Sequence, residues 1–206
     1  MKPLLSAVLV GGLCSIAFAV APLSSRAAQA VASKAKAAAT TVPSWSIDSR
    51  QSRIAFSTRW AGEAVNGTFR QWTGDIKFDP TNLAASKAVI VIQTGSALTG
   101  MKEPDDNIGG GDWLDARRFP TARYETTAIR SLGNNRYVAD GLLTIKGISY
   151  RLALPFTLTI AGNAATMTGQ ATLDRMTLKL GLESDASAEW VARETVVNVA
   201  VRAARR

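Results

Sequence analysis

The residues able to do chemistry here are few in kind. The chain has 24 Lys and Arg and 16 Asp and Glu, but no His and a single Cys, Cys14. Without imidazole, Ser-His-Asp and Cys-His catalysis, His-ligated metals and imidazole pH switching are excluded. With one thiol, so are internal disulfides and thiolate clusters. Carboxylates, amines, hydroxyls, backbone and apolar surface remain. Asp105, Asp106, Asn107 and Asp112 share one Gly-rich stretch and could ligate a hard cation. Their spacing is not that of a calcium loop, which places ligands at alternate positions and ends on Glu, so a solvated loop is the simpler reading and no metal is assigned. Gly109-Gly110-Gly111 could form a backbone nest for phosphate, yet no Lys-Ser or Lys-Thr follows. A carboxylate pair such as Glu63 with Asp75 would suit an exported hydrolase of a sugar or ester if the two stood ~5 to 9.5 Å apart. Five Trp among basic residues could stack single-stranded nucleic acid, but strand phase turns Trp60 and Trp72 toward a core or pocket, so nucleic acid is not an expected partner.

The elements that would position these groups are strands. Leu152, Leu154, Phe156, Leu158 and Ile160 alternate with Ala153, Pro155, Thr157 and Thr159, the period of a strand with one buried face. Pro155 donates no ladder hydrogen bond, so it marks an edge, a bulge or the outward side of a weak pair. The same alternation holds for Ile54, Phe56, Thr58 and Trp60, for Trp72, Gly74, Ile76 and Phe78, and for Tyr137, Ala139, Gly141, Leu143 and Ile145. Residues 88–92 are continuously apolar, 164–173 are rich in Thr and Ala, and Val196, Val197, Val199 and Val201 lie near the end. Asp79-Pro80-Thr81-Asn82, Gly133-Asn134-Asn135 and Gly162-Asn163 punctuate them as turns. Eight or nine antiparallel strands are predicted, in a barrel or a sandwich. One long excursion, residues 95–120, is predicted to hold at most a short helix near 112–118. Gly74, Ala139 and Gly141 stand in the inward phase; they either leave room inside or mark bulges and sharp coiling.

The first thirty residues read as an export signal. Met1 and Lys2 precede an apolar run over 4–21, followed by the small-x-small sites Ala17-Phe18-Ala19 and Ala28-Gln29-Ala30. An uncleaved anchor is the rival reading, because ~20 apolar residues span a bilayer. Leu13 is too large for a lipoprotein signal at Cys14. Residues 31–44, mostly Ala, Ser, Thr and Lys, read as a low-complexity tether, and 45–206 as the folded domain. The whole chain is 47% hydrophobic, and about 160 residues suffice for one core without disulfide staples. Its basic residues are scattered singly apart from Arg205-Arg206, the pattern of a solvated basic surface.

Taken in order, Trp45-Ser46-Ile47-Asp48, Ser52-Arg53-Ile54-Ala55-Phe56, Gly67-Thr68-Phe69, Gly74-Asp75-Ile76-Lys77-Phe78-Asp79-Pro80, Asp112-Trp113-Leu114-Asp115 with Phe119-Pro120, Gly141-Leu142-Leu143-Thr144-Ile145-Lys146-Gly147-Ile148-Ser149 and Leu173-Asp174-Arg175 resemble the YceI family over about residues 45–203. The resemblance implies an all-β, eight-stranded antiparallel lipocalin-like barrel with one long loop carrying a short helix, exported to the periplasm. It also implies an apolar pocket for a polyisoprenoid or similar amphiphilic lipid, with no catalytic centre and no cofactor. The Trp60-Ala61-Gly62 stretch and the Trp190 region look most like a branch found with b-type cytochromes, which points to an isoprenoid quinone as ligand and a b-type cytochrome as partner. Transient membrane contact and a homodimer are compatible with this reading. The family's Arg-Asp pair followed by His-Leu is here Pro104-Asp105-Asp106-Asn107-Ile108, which keeps the Asp and loses the Arg and the His; no head-group contact carries over to that loop. Inward phase then names the wall of the pocket: Ile54, Phe56, Trp60, Phe69, Trp72, Ile76, Phe78, Leu143, Ile145, Leu154, Phe156 and Leu158, with Trp113 and Phe119 as a lid from the long loop. Each would equally serve as ordinary core.

Overall fold

A computed structural model describes residues 41–206; residues 1–30, expected to be an export signal, and 31–40 of the expected tether lie outside the described residues. Among the described residues the strands are β1 (Ser44–Ile47), β2 (Arg53–Trp60), β3 (Glu63–Phe69), β4 (Trp72–Lys77), β5 (Lys87–Gln93), β6 (Ala97–Leu98), β7 (Thr121–Gly133), β8 (Arg136–Ile145), β9 (Ile148–Ala161), β10 (Ala164–Asp174) and β11 (Glu194–Arg205), with one α-helix, α1 (Lys102–Ile108). β1 and β2 are two halves of one bent strand, since both pair with β11, at Trp45↔Arg205 and at Phe56↔Val197. β3 and β4 form a second bent strand against them. The ring then runs β5, β7, β8, β9, β10, β11 and closes through β1, giving eight antiparallel staves in an up-and-down barrel. Among the described residues no helix is long and apolar enough to cross a membrane.

Closure puts every second residue inside. β9 shows this most cleanly: Leu154 and Leu158 are buried, while Ala153, Pro155 and Thr157 face out. The β9–β10 ladder runs from Ala161↔Ala164 to Phe156↔Gly169 and stops beside Pro155, whose nitrogen has no hydrogen to donate. Beyond that point β10 is paired with β11 alone. The Lys146-Gly147 loop joins β8 to β9 with φ of 49° and 74°, the two left-handed residues of a type I′ hairpin.

One end of the barrel is plugged. Trp45, Phe78, Tyr137 and Leu158 form a buried cluster, with Tyr137 stacked on Phe156 at 5.4 Å and edge-on to Phe78 at 5.5 Å. Trp45 Nε1 donates to the Phe78 carbonyl at 2.9 Å. The other end is crossed by α1, by residues 109–120 and by residues 175–193. The helix lies earlier in the excursion than 112–118, which is a series of turns. Pro104 does not forbid it there, because a first-turn nitrogen has no helical acceptor to lose. Lys102 and Asp106 pair one turn apart.

The 175–193 crossing is organised by a buried ion pair. Arg175 and Asp185 have side chains only 2% and 4% exposed, with Nη2 2.7 Å from Oδ2. Arg175 also donates to the carbonyls of Leu180, Val191 and Ala192, and the Asp185 oxygens accept from the amides of Glu189 and Val191. All these groups are paired, which is the condition for tolerating charge in the interior. Arg175→Met should lower the unfolding free energy by about 3–5 kcal/mol, because it strands the Asp185 carboxylate. A urea titration showing a loss below about 1 kcal/mol would mean that packing alone holds the crossing.

A second test uses acid. Hydrogen bonds from Arg193, outweighing a desolvation that opposes them, together with Thr177 and the Met176 amide, bring the Asp174 carboxyl down to about 2 from 3.8. A carboxyl depressed in the folded state contributes stability that is complete above its unfolded value and is lost as pH falls through its folded one. The urea midpoint should therefore drop between about pH 4 and pH 2, and Asp174→Asn should flatten the profile in that window.

Candidate ligand-binding chamber

Several side chains that point inward are not fully buried. Phe69, Ile90, Ile92, Leu152, Met167, Val197 and Val199 are only partly buried although each lies on the inner face of the wall. They border a cavity of about 290 Å³ running along the barrel axis. Its charged lining is limited to Lys77, Lys87 and Arg175, and Lys87 is paired with Glu125. A second chamber of about 490 Å³ lies at the open end, bounded by Trp60 and Val65 of the β2–β3 hairpin, by α1, by Trp113 and by Ser184, Asp185, Trp190 and Val191. Phe56, Thr58, Ile108, Trp113 and Val191 line both, so the two are a lumen and its vestibule.

The lumen stays open because large rings lie against glycines in neighbouring strands instead of across the axis. A Cβ at Gly67 would fall 2.1 Å from Phe56 Cζ, and one at Gly141 would fall 2.6 Å from the Tyr124 ring. At Gly169 a Cβ would meet Phe156 Cβ at 3.0 Å. The inward phase of Gly141 is therefore correct, but its space belongs to Tyr124, and the β7 register shift between Thr126 and Ala128 lies opposite it. The inner side of Gly74 is likewise taken by the tips of Ile47 and Ile90. Burial, aided by Asp140, pushes the Tyr124 phenol up to about 12, so it remains a donor and gives a 2.8 Å bond to the Ala139 carbonyl.

Of the residues named from inward phase, Ile54, Phe56, Phe69, Trp72, Ile76, Phe78, Leu143, Ile145, Leu154, Phe156 and Leu158 line the lumen, and Trp113 lines both chambers. Trp60 borders the vestibule alone. Phe119 borders neither; its ring covers Gly147, where a Cβ would lie 3.0 Å away, so it braces the β8–β9 turn and is not a lid. Trp113 is held between the two chambers by Gly181, where a Cβ would come within 2.6 Å of the indole, and by the Arg175 guanidinium 5.6 Å from its centre. Sequence reasoning missed Ile90, Ile92, Leu152, Ile160, Met167, Val197 and Val199. Leu152 and Ile160 were legible from the alternation of β9, and Val197 and Val199 from their separation by two.

The carboxylates that invited a metal reading are occupied with protein donors. Asp105 accepts from the Thr99 amide and hydroxyl and the Gly100 amide at 2.6, 2.7 and 3.0 Å. Asp112 accepts from the Glu183 and Ser184 amides and the Ser184 hydroxyl at 2.9, 3.0 and 2.6 Å. Burial pushes the Asp112 pKa up, and the Ser184 and Glu183 hydrogen bonds outweigh it, so the group sits below its ordinary value. Glu63 stands at the hairpin tip and Asp75 on the outer face of β4, twelve residues further along the same bent strand, and neither lines a chamber. The fold does not gather that pair into one site. Trp45, Trp72 and Trp113 face inward and offer no stacking platform outside.

Residues 45–203 match the YceI-like domain. A UPF0312 protein of Shewanella sp. (strain MR-7) is 30% identical over 154 residues, covering 75% of this chain and 72% of that protein. A UPF0312 protein of Pseudomonas savastanoi pv. phaseolicola is 32% identical over 93 residues, so the chain spans about half (48%) of the length of that relative. Among solved structures, Burkholderia cenocepacia BcnA superposes with a TM-score of 0.73 at 27% identity, over 76% of this chain and 99% of that one. A polyisoprenoid binding domain from Saccharophagus degradans, implicated in plant cell wall breakdown, superposes with a TM-score of 0.63 at 13% identity, over 79% and 98%, a likeness of fold alone. The match runs from Trp45 in β1 to Ala203 in β11, the whole circuit of the barrel, and the chain belongs to the YceI family.

Proposed function

We propose that this protein is an exported, periplasmic binding protein without a catalytic centre, which sequesters or carries a polyisoprenoid or similar long-chain amphiphile. Its lumen takes the tail and its vestibule takes the head; isoprenoid quinones belong to the ligand class. The observation that carries this reading is the hollow apolar lumen opening into a wider chamber whose polar groups sit at the rim. Burying a tail stabilises the complex by about 0.8 kcal/mol per CH₂-sized group before ordering costs. One isoprene unit of five carbons thus contributes roughly 4 kcal/mol gross, and a few units suffice for tight binding. The name of the Saccharophagus neighbour supports the ligand class, and the charged start followed by an apolar run supports export. A ligand that water excludes is exchanged at a membrane, so contact with a bilayer is transient and part of the cycle. A b-type cytochrome is a partner consistent with a quinone ligand.

Protein purified from native cells, extracted and examined by mass spectrometry, should release a long-chain amphiphile in near-stoichiometric amount; an empty lumen in material competent to bind would overturn the proposal. Narrowing the tube gives a second test. Val199→Phe places a ring in the lumen and should weaken lipid binding at least tenfold, about 1.4 kcal/mol. Thr168→Phe, on the outer face of the adjacent strand, should leave binding unchanged. Equal retention by both variants would mean that the tail does not pass Val199.

A further inference from the structure

The vestibule restricts the chemistry of the ligand's polar end. Its polar members are few, and most are already committed. The Thr99 hydroxyl is bound to Asp105, the Ser184 hydroxyl to Asp112, and the Asp185 oxygens to Arg175 and two backbone amides. Among the described residues the Glu103 carboxylate has no hydrogen-bond or ion-pair partner. Asn107 spends its Nδ2 on the Glu103 carbonyl at 2.8 Å, leaving its side-chain oxygen. These two acceptors are joined by the indole N–H groups of Trp60, Trp113 and Trp190, which are neutral donors. Among the described residues the vestibule lining holds no Lys or Arg; Arg175, which lines the lumen, is 2% exposed, and each of its three nitrogens donates to a carbonyl or to Asp185. Lys102, next to Glu103, is paired with Asp106 and does not line the chamber.

Resting on the carrier reading above, we infer that the vestibule receives an uncharged head group, and rejects phosphate and diphosphate heads, with Glu103 setting the preference. A neutral head can donate to the Asn107 oxygen and accept from the indole N–H groups of Trp60, Trp113 and Trp190, whose ring faces cover the rest of it. A phosphate would bring negative charge beside an unpaired carboxylate with no free cation to receive it.

The test compares a polyprenol with its polyprenyl phosphate of equal chain length, with binding read from quenching of tryptophan fluorescence. The native protein should bind the alcohol at least tenfold more tightly. Glu103→Lys should improve phosphate affinity about tenfold and close most of the gap between the two lipids, while Glu103→Gln should fall between. Glu103 is exposed, so the variants are expected to fold, which circular dichroism checks. Equal affinity of the native protein for both lipids, or tighter phosphate binding, overturns the head-group inference and leaves the carrier reading standing. Discrimination that survives Glu103→Lys removes Glu103 from the role. Binding of neither lipid overturns both.

Discussion

Backbone hydrogen bonding around a closed ring is the constraint on which the rest depends. β11 pairs with β10 on one side and with β1 and β2 on the other, and that second set of pairs leaves the ring without a free edge at the seam. Once the ring is shut, the inner face is fixed residue by residue, and eight staves enclose a space that side chains can just fill. Whether such a barrel is solid depends on where its largest side chains lie. Here Phe56 and Tyr124 press onto Gly67 and Gly141, and Phe156 packs beside Gly169. The Phe56 and Tyr124 rings thicken the wall and leave the axis free, while the Phe156 ring joins the plug with Tyr137 and Phe78. The glycines therefore shape the lumen without lining it.

The same logic shows what the sequence could convey. Where one face carries large apolar residues and the other Thr, Pro or Lys, as in β4 and β9, the inward set could be named in advance. β5 is apolar on both faces, so nothing in Lys87–Gln93 distinguishes Ile90 and Ile92 from Val89 and Val91. β10 offers small residues on both sides, and Met167 was lost among them. The excursion over 95–120 was read by its glycines and prolines, which argued against a helix at the place where Pro104 is permitted. Phe119 was misplaced because its partner, Gly147, belongs to a hairpin whose approach depends on tertiary structure. The 175–193 crossing gave no periodic signal, since its order comes from one buried guanidinium and the carbonyls around it.

The polar residues of the open end form two clamps. Asp105 gathers Thr99 and Gly100 onto α1, and Asp112 joins the loop before β7 to the loop before β11. Lys146 adds a third tie, donating to the carbonyls of Asp112 and Lys179. A buried polar network of this kind contributes little net stability, because desolvation consumes most of its Coulombic gain. What it fixes is geometry: Trp113 is held between Gly181 and Arg175 above the lumen.

Lumen and vestibule thus govern different quantities. Apolar burial is undirected and proportional to area, so the lumen sets how strongly a tail is withdrawn from water without distinguishing one tail from another. Directional hydrogen bonds and charge at the rim distinguish heads while adding little to affinity, because the groups there remain partly hydrated. For a carrier the relevant competitor is the bilayer, where the tail is as well shielded as in the barrel. Transfer between the two is therefore near balance even when binding measured from water is tight, and the small differences made at the rim are large enough to decide the direction.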